Sequence, residues 1–372
     1  MKRCRLCLIP DTRPDTPFAD GICSGCIAFA ARPDIDWDAR RRDLEKLLEK
    51  NRRPGAAFDC IVPSSGGKDS HYQVLKLLEL GARPLVVTAT TCHQTPVGRA
   101  NIANLARYAT TLEYSPNKRV RAALNRIGLK TVGDISWPEH VGIFTIPFRL
   151  AVQMKIPLIF YGENPQNQYG GPFSSQEART MTARWVSEFG GFIGLRAGDM
   201  VGQEGITPRD MEDYRMPGEL DIAALRIEAH FLGQYLPWDS NENARLAASA
   251  GMIQAMPCRA NWWPHENLDN AQTGLHDHMM YRKYGYGRLA AQISVDIRAQ
   301  RISREYALRL AAERDGLFPR VYAEVALEEV LDAIEWAEKG GEETLMELLD
   351  RFTNHALFRG EVNDRPILKE EV

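Results

Sequence analysis

The stretch FDCIVPSSGGKDS, residues 58–70, sets a short β-rich run against a glycine turn and the start of a helix. Residues 58–64 read as a buried strand, and the spacing predicts a helix over residues 72–80. Between them, Gly66 and Gly67 let backbone amides turn towards an anion, and the coming helix adds further donors and a favourable dipole. Lys68 supplies a compact positive charge, while Ser64, Ser65 and Ser70 bring hydroxyls to the same loop. Asp69 repels a phosphate, so its presence calls for a magnesium ion bridging phosphates or for a capping role.

Working outward, residues 84–90 (PLVVTAT), 111–114 and 157–161 (PLIFY) read as further strands. Helical patterns lie at 101–108 and 143–154. That βαβαβαβ order predicts an α/β fold with a doubly wound parallel sheet. Ligands of such sheets sit beyond the carboxyl ends of the strands, where residues 64–70 and 162–165 fall. The run Tyr161-Gly162-Glu163-Asn164-Pro165 therefore puts Glu163 at the ligand edge, to hold magnesium or handle a proton, with Asn164 beside it.

The chain has 372 residues, 44% of them apolar and 26% charged, the composition of an ordinary soluble protein. Its 46 basic and 49 acidic residues leave a net charge of −3, which argues against a nucleic-acid partner held by a basic surface. No apolar run reaches the ~18–20 residues of a spanning helix, so no membrane association is expected. The opening MKRCRLC lacks an apolar signal core, so a cytoplasmic location is expected. Length and composition shifts predict a metal-binding module at 1–33, a linker helix at 34–55, the α/β domain at 56–220, and a mostly helical substrate-binding region at 221–372. Helical patterns recur from residue 303 (REYALRLAAERDG, EEVLDAIEWAEKG, EETLMELLDRF), and the charged tail at 359–372 reads as loose.

Four of the seven cysteines form two pairs, Cys4-x-x-Cys7 and Cys23-x-x-Cys26. Two close thiolate pairs across a loop suit a closed tetrahedral zinc site of structural role. An iron–sulfur cluster is the alternative, and a cytoplasmic setting disfavours disulfides. A module this small, with few large apolar residues, needs such a staple. Further along, Trp262, Trp263, His265, Glu266, Arg282, Lys283 and Arg288 form a run able to stack on a base or sugar and meet phosphates or a carboxylate. It reads equally as a packed aromatic cluster with surface cations. His276 and His278 are weaker metal candidates.

SGGKDS is similar to the PP-loop of the ATP pyrophosphatases, which cleave ATP to AMP and pyrophosphate. Taken with the cysteine pairs, YGENP (161–165), LPWDSNENA (236–244), NWWPHENLDN (261–270) and HDHMMYRKYGYGR (276–288), the chain resembles the N-acetyl sugar amidotransferase family. That family includes the O-antigen enzyme WbpG and the pseudaminic acid enzyme PseA, and the resemblance runs from Cys4 to about Arg304. It implies that Mg-ATP adenylates the acetamido oxygen of a nucleotide-activated N-acetyl sugar, and that ammonia then displaces AMP to leave an acetamidino sugar. Lys68, Asp69 and Glu163 would be the catalytic residues. The nitrogen source is expected to be a separate partner, similar to the glutaminase and cyclase subunits of imidazole glycerol phosphate synthase. Residue 2 is Lys2 and no Gly-x-Cys-x-Gly turn exists, so the chain has no visible glutaminase nucleophile. The competing reading is a PP-loop tRNA thiolase with a zinc CxxC module, for which Cys92 and Cys258 are the available thiols. Cys60, inside a strand, reads as core. A non-catalytic scaffold is a third reading, against which the intact loop argues.

Overall fold

In the computed structural model the described residues are 1–337 and 343–369. A six-stranded sheet runs through the middle, in the order β3-β2-β1-β4-β6-β5. Its strands are β1 (Cys60–Pro63), β2 (Pro84–Ala89), β3 (Thr110–Tyr114), β4 (Leu158–Tyr161), β5 (Thr180–Met181) and β6 (Glu228–Phe231). Five are parallel, with Ile61 opposite both Leu85 and Ile159; β5 is antiparallel at the edge, so the sheet is mixed where an all-parallel one was expected. It also takes β6 from beyond residue 220, the point at which the sequence suggested the helical region begins.

Side-chain alternation explains why these runs are apolar throughout. Ile61, Leu85, Val87 and Ile159 face one core with Phe144, Phe148 and Trp185. Cys60, Val62, Val86 and Phe160 face the other, with Tyr72, Leu77 and Trp238. Strands buried on both faces need no polar side. Helix α1 (Trp37–Asn51), capped by Asp36, belongs to this second core. Leu44 and Leu48 are buried in it, each contributing about 1.5–3 kcal/mol, so the helix read as a linker is a structural layer.

Helix α2 (Lys68–Glu79) follows β1, α3 (Pro96–Leu105) follows β2, and α4 (Lys118–Val132) follows β3. No element was expected over α4, although Asn117 caps it and Val120, Leu124 and Ile127 line its buried face. Helix α5 (Trp137–Met154) starts six residues ahead of the expected 143 and absorbs Pro147 in its interior. The C-terminal region holds α6 (Ser240–Ser249), α7 (Thr273–Tyr284), α8 (Arg288–Arg298) and α9 (Arg304–Arg314). Of the later helical patterns, EEVLDAIEWAEKG forms Leu327–Ala333, and its last three residues, 338–340, lie outside the described residues. The tail is not loose over its described part. Phe358–Val362 and Arg365–Leu368 pair as a hairpin through Asn363 and Asp364, both at positive φ as a tight turn demands. Residues 370–372 lie outside the described residues. Among the described residues, no helix is long and apolar enough to cross a membrane.

Strand order places β2 and β4 on opposite sides of β1. Chain connections therefore diverge between β1 and β4, the point at which sheets of this kind form a ligand crevice beyond the carboxyl ends. The glycine loop and Glu163 leave the sheet at that crevice.

Candidate active site

The loop after β1 is built tightly. Ser64 donates its backbone amide to Val87 O at 2.8 Å, and its hydroxyl accepts the Gly66 amide at 3.0 Å. Gly66 has φ +79, and a Cβ there would lie 2.8 Å from Ile102, so conformation and space both demand glycine. Gly67 precedes the first turn of α2. Behind the turn, His71 Nδ1 donates to Gly67 O at 3.0 Å, and Asn104 Nδ2 donates to His71 Nε2 at 3.0 Å. Burial holds His71 below its usual pKa, so it stays neutral and keeps both bonds.

Lys68 is 2% exposed. Its Nζ donates to Asp69 Oδ2 at 2.6 Å and to Glu266 Oε1 at 2.9 Å. Burial opposes its charge, but Asp69 and Glu266 outweigh burial and raise Lys68 well above the usual lysine value. Burial would likewise raise Glu266, yet Lys68 and Arg288 bring it down to about 2. Glu163 goes the other way: burial first, then the neighbouring Asp69, push it up to about 7. Two carboxylates thus share one lysine, and Glu163 near them is poised to gain or lose a proton near neutrality.

Supporting residues are ones the sequence reading did not single out. Asn243 of α6 donates to Asp69 Oδ1 at 3.0 Å, and Gln292 of α8 donates to Glu266 Oε2 at 2.8 Å. Tyr169 approaches Glu266 Oε1 at 3.5 Å. Asn243 lies inside the quoted LPWDSNENA run, but only the packing of α6 on α2 gives it a role. Gln292 sits among apolar positions of α8 with no local pattern to distinguish it.

Several expected ligand contacts have other occupations. Asn164 is 2% exposed; its amide donates to Ser175 O at 2.7 Å, and its oxygen accepts the Gln166 amide at 3.0 Å. It braces the loop after β4. Trp262 and Trp263 both donate their indole N–H to Asp296 Oδ2, at 2.7 and 2.8 Å, and buried Trp263 stacks on His265. Arg282 is buried on the tail hairpin, where it meets Glu361, Thr353 and His278. Lys283 caps the end of α4 through Val132 O and Gly133 O. None of these cations is free for a phosphate. Arg288 is held by Asp277 at 2.8 Å, yet its charge reaches Glu266.

A cavity of about 560 Å³ is lined by Arg288, Gln166, Tyr284, His140, His276 and Arg13, among others. No residue of the glycine loop lines it; Arg288 connects it to the Lys68 cluster.

The four paired cysteines are fully or almost fully buried together. Cys7 and Cys23 Sγ lie 3.6 Å apart, and Cys4 and Cys26 Sγ 3.8 Å. A disulfide needs about 2.05 Å, whereas four Zn–S bonds of ~2.3 Å set sulfurs about 3.8 Å apart. The donor set and spacing fit a tetrahedral zinc ion. Leu6 and Cys23 amides point at Cys4 Sγ, and Arg298 of α8 reaches Cys26 Sγ at 3.4 Å and Cys7 and Cys23 Sγ at 3.7 Å. That guanidinium offsets the thiolate charge. Gly25 leaves room for it, because a Cβ would sit 2.9 Å from Arg298 Nη2 and push the guanidinium aside.

Residues 260–367 match a family model described as "LPS biosynthesis protein WbpG-like, C-terminal domain", which supports a WbpG-like assignment for this region. Glu266, His276, Arg288 and Gln292 fall inside it. A UDP-N-acetylglucosamine–N-acetylmuramyl-(pentapeptide) pyrophosphoryl-undecaprenol N-acetylglucosamine transferase from Cupriavidus pinatubonensis is 26% identical over 152 residues. The match spans 40% of this chain and 40% of that relative's length. The solved structure of NMN synthetase from Francisella tularensis is similar at a TM-score of 0.27 and 14% identity, covering 60% of this chain and 99% of that one.

Proposed function

We propose that this chain is an ATP-dependent amidotransferase of lipopolysaccharide biosynthesis, converting the acetamido group of a nucleotide-activated N-acetyl sugar to an acetamidino group. The observation that carries this reading is the Lys68 junction, where a PP-loop-like turn meets Glu266 of the WbpG-like region. A nucleotide-activating loop and a glycan-biosynthesis module share one buried charge cluster.

An amide oxygen is a poor leaving group until it is adenylated. Its attack on the α-phosphorus of ATP expels pyrophosphate and releases the amide N–H proton, giving an O-adenylyl imidate. Ammonia then adds to the imidate carbon and AMP leaves. Lys68 and the amides at the start of α2 stabilise charge growing on pyrophosphate. Asp69 and Glu163 would hold a magnesium ion that screens the phosphates or handle the amide proton, and Glu163, raised by burial to about 7, suits the second role. The 560 Å³ cavity has the size of a small-ligand site and is assigned to the sugar substrate. In the cysteine cluster, Cys4, Cys7, Cys23 and Cys26 would hold structural zinc, which supplies a rigid crosslink. Ammonia is assigned to a separate glutaminase partner.

The thiolase reading is weakened by its own thiols. Burial raises Cys92 well above the usual value and lifts Cys258 to about 11, so neither is a thiolate at neutral pH.

Incubation with ATP, ammonium salt and UDP- or CMP-linked acetamido sugars should yield AMP, pyrophosphate and an amidino product by mass spectrometry. Stoichiometric ADP would refute the adenylation, and glutamine hydrolysis by the isolated chain would refute the separate glutaminase partner. Glu163 also fixes a pH profile. Its carboxyl is raised, so it is protonated below pH 7 and becomes an available base or metal ligand as pH rises. ATP–pyrophosphate exchange, measured without ammonia, should climb through about pH 7. Glu163→Gln should remove that limb; an unchanged profile would take Glu163 out of the mechanism.

A further inference from the structure

The cavity wall carries a group that no step above uses. Asp134 lies in the turn between α4 and α5, His140 in the first turn of α5, and His276 in the first turn of α7. One ligand atom from each falls within 4.8 Å of the other two. Asp134 is 1% exposed. Its Oδ1 accepts the Ser136 amide at 2.8 Å and faces His276 Nδ1 at 2.8 Å. Its Oδ2 is buried without a hydrogen-bond partner and faces His140 Nδ1 at 3.6 Å; that nitrogen lies against the Gly191 backbone but makes no well-formed hydrogen bond there. Buried polar atoms are satisfied in the great majority of cases, so this facing pair points to something that binds both. Two metal–ligand bonds of ~2.1 Å at a tetrahedral angle place their donors about 3.4 Å apart, close to this spacing.

We propose that Asp134, His140 and His276 form a second metal site, for a zinc-class divalent transition metal. Two imidazoles and a carboxylate suit such an ion, and three protein ligands leave at least one position open to the cavity. The Ser136 amide fixes the carboxylate, as bonds behind a first ligand set do in such sites. Nearby cations do not compete for the carboxylate: Lys283 is held by two backbone carbonyls and Arg288 by Asp277. An ion here presents its open position to whatever oxygen-bearing ligand fills the cavity. The site does not depend on the amidotransferase reading, because its test counts metal and not turnover.

Zinc titration of the full-length chain, followed by desalting and elemental analysis, should give two equivalents in the wild type. His140→Gln is the cleanest variant, since Nδ1 makes no well-formed hydrogen bond and an amide can still meet the Gly191 backbone. It should weaken the second equivalent at least about tenfold while the cysteine-held zinc stays. Cobalt substitution provides an independent readout. Filling the second site should add a visible ligand-field band without the thiolate-to-metal charge transfer that marks the cysteine site, and His276→Ala should abolish that band. One equivalent in the wild type, or a second that survives both substitutions, overturns the proposal.

Discussion

Lys68→Ala should lower the rate of AMP formation by about 10²–10³, the usual loss when one charged donor at a developing negative charge is removed. The substitution also strands Glu266 and Asp69, which share its ammonium at 2.9 and 2.6 Å. Breaking a buried pair from one side costs about 3–5 kcal/mol, because the remaining charge stays desolvated. The variant should therefore melt earlier as well as react more slowly. The two effects can be separated. Glu266→Gln in the Lys68→Ala background relieves the stranded charge and should recover part of the stability without recovering adenylation. The pH sign follows from Glu266. Its carboxyl is depressed to about 2 in the folded protein, so its contribution is present above the ordinary carboxylate range and is lost as pH falls towards 2. Without Lys68, burial raises that carboxyl, so the stability deficit of Lys68→Ala should shrink as pH falls from 7 to 5. A deficit independent of pH, with unchanged AMP formation, would leave Lys68 without its assigned role.

Local chemistry made the loop legible before any coordinates. A buried run, a turn needing positive φ at Gly66 and a helix start lie within thirteen consecutive residues, and each is a nearest-neighbour property. The cysteine pairs were legible for the same reason. The distant partner of Lys68 was not. Glu266 is 198 residues away, and its meeting with Lys68 depends on how α6 packs on α2 and on the path of the chain from α6 to α7. Arg282 shows the converse error: a cation inside an aromatic-rich run resembles a phosphate ligand until Glu361 of the tail hairpin arrives to claim it. Of the Asp134–His140–His276 group only His276 was singled out, and beside His278, with which it shares no metal-ligating cluster among the described residues. Asp134 and His140 lie ahead of the helix expected from residue 143, in a stretch that carries no motif, and nothing in the sequence between 140 and 276 announces their meeting.

Cys23→Ser should remove the zinc ion and carry the consequence well beyond residues 1–33. Structural zinc contributes about 10–16 kcal/mol of binding free energy in small zinc-folded peptides, and this module has little apolar core to replace it. The module is not an appendage. Arg298 reaches the cysteine sulfurs with Nε and Nη2 and donates from Nη1 to Gln168 O at 2.7 Å, while Arg32 bonds the Gln168 side chain at 2.8 Å. Gln168 precedes Tyr169, which touches Glu266. Without zinc, these ties lose their anchor and the segment after β4, Glu163 included, is free to shift. A displacement of about 1 Å at reacting groups can cost about 10² in rate, so adenylation should fall by that order although every residue of the glycine loop remains. Hydrogen exchange should show lost protection at residues 1–33 and at 163–169 together, with the sheet strands unchanged. Protection lost only in the first segment, with adenylation intact, would make the module a separate unit. The large sheet cores should keep the remainder folded, which makes activity measurable in the variant and the comparison decisive.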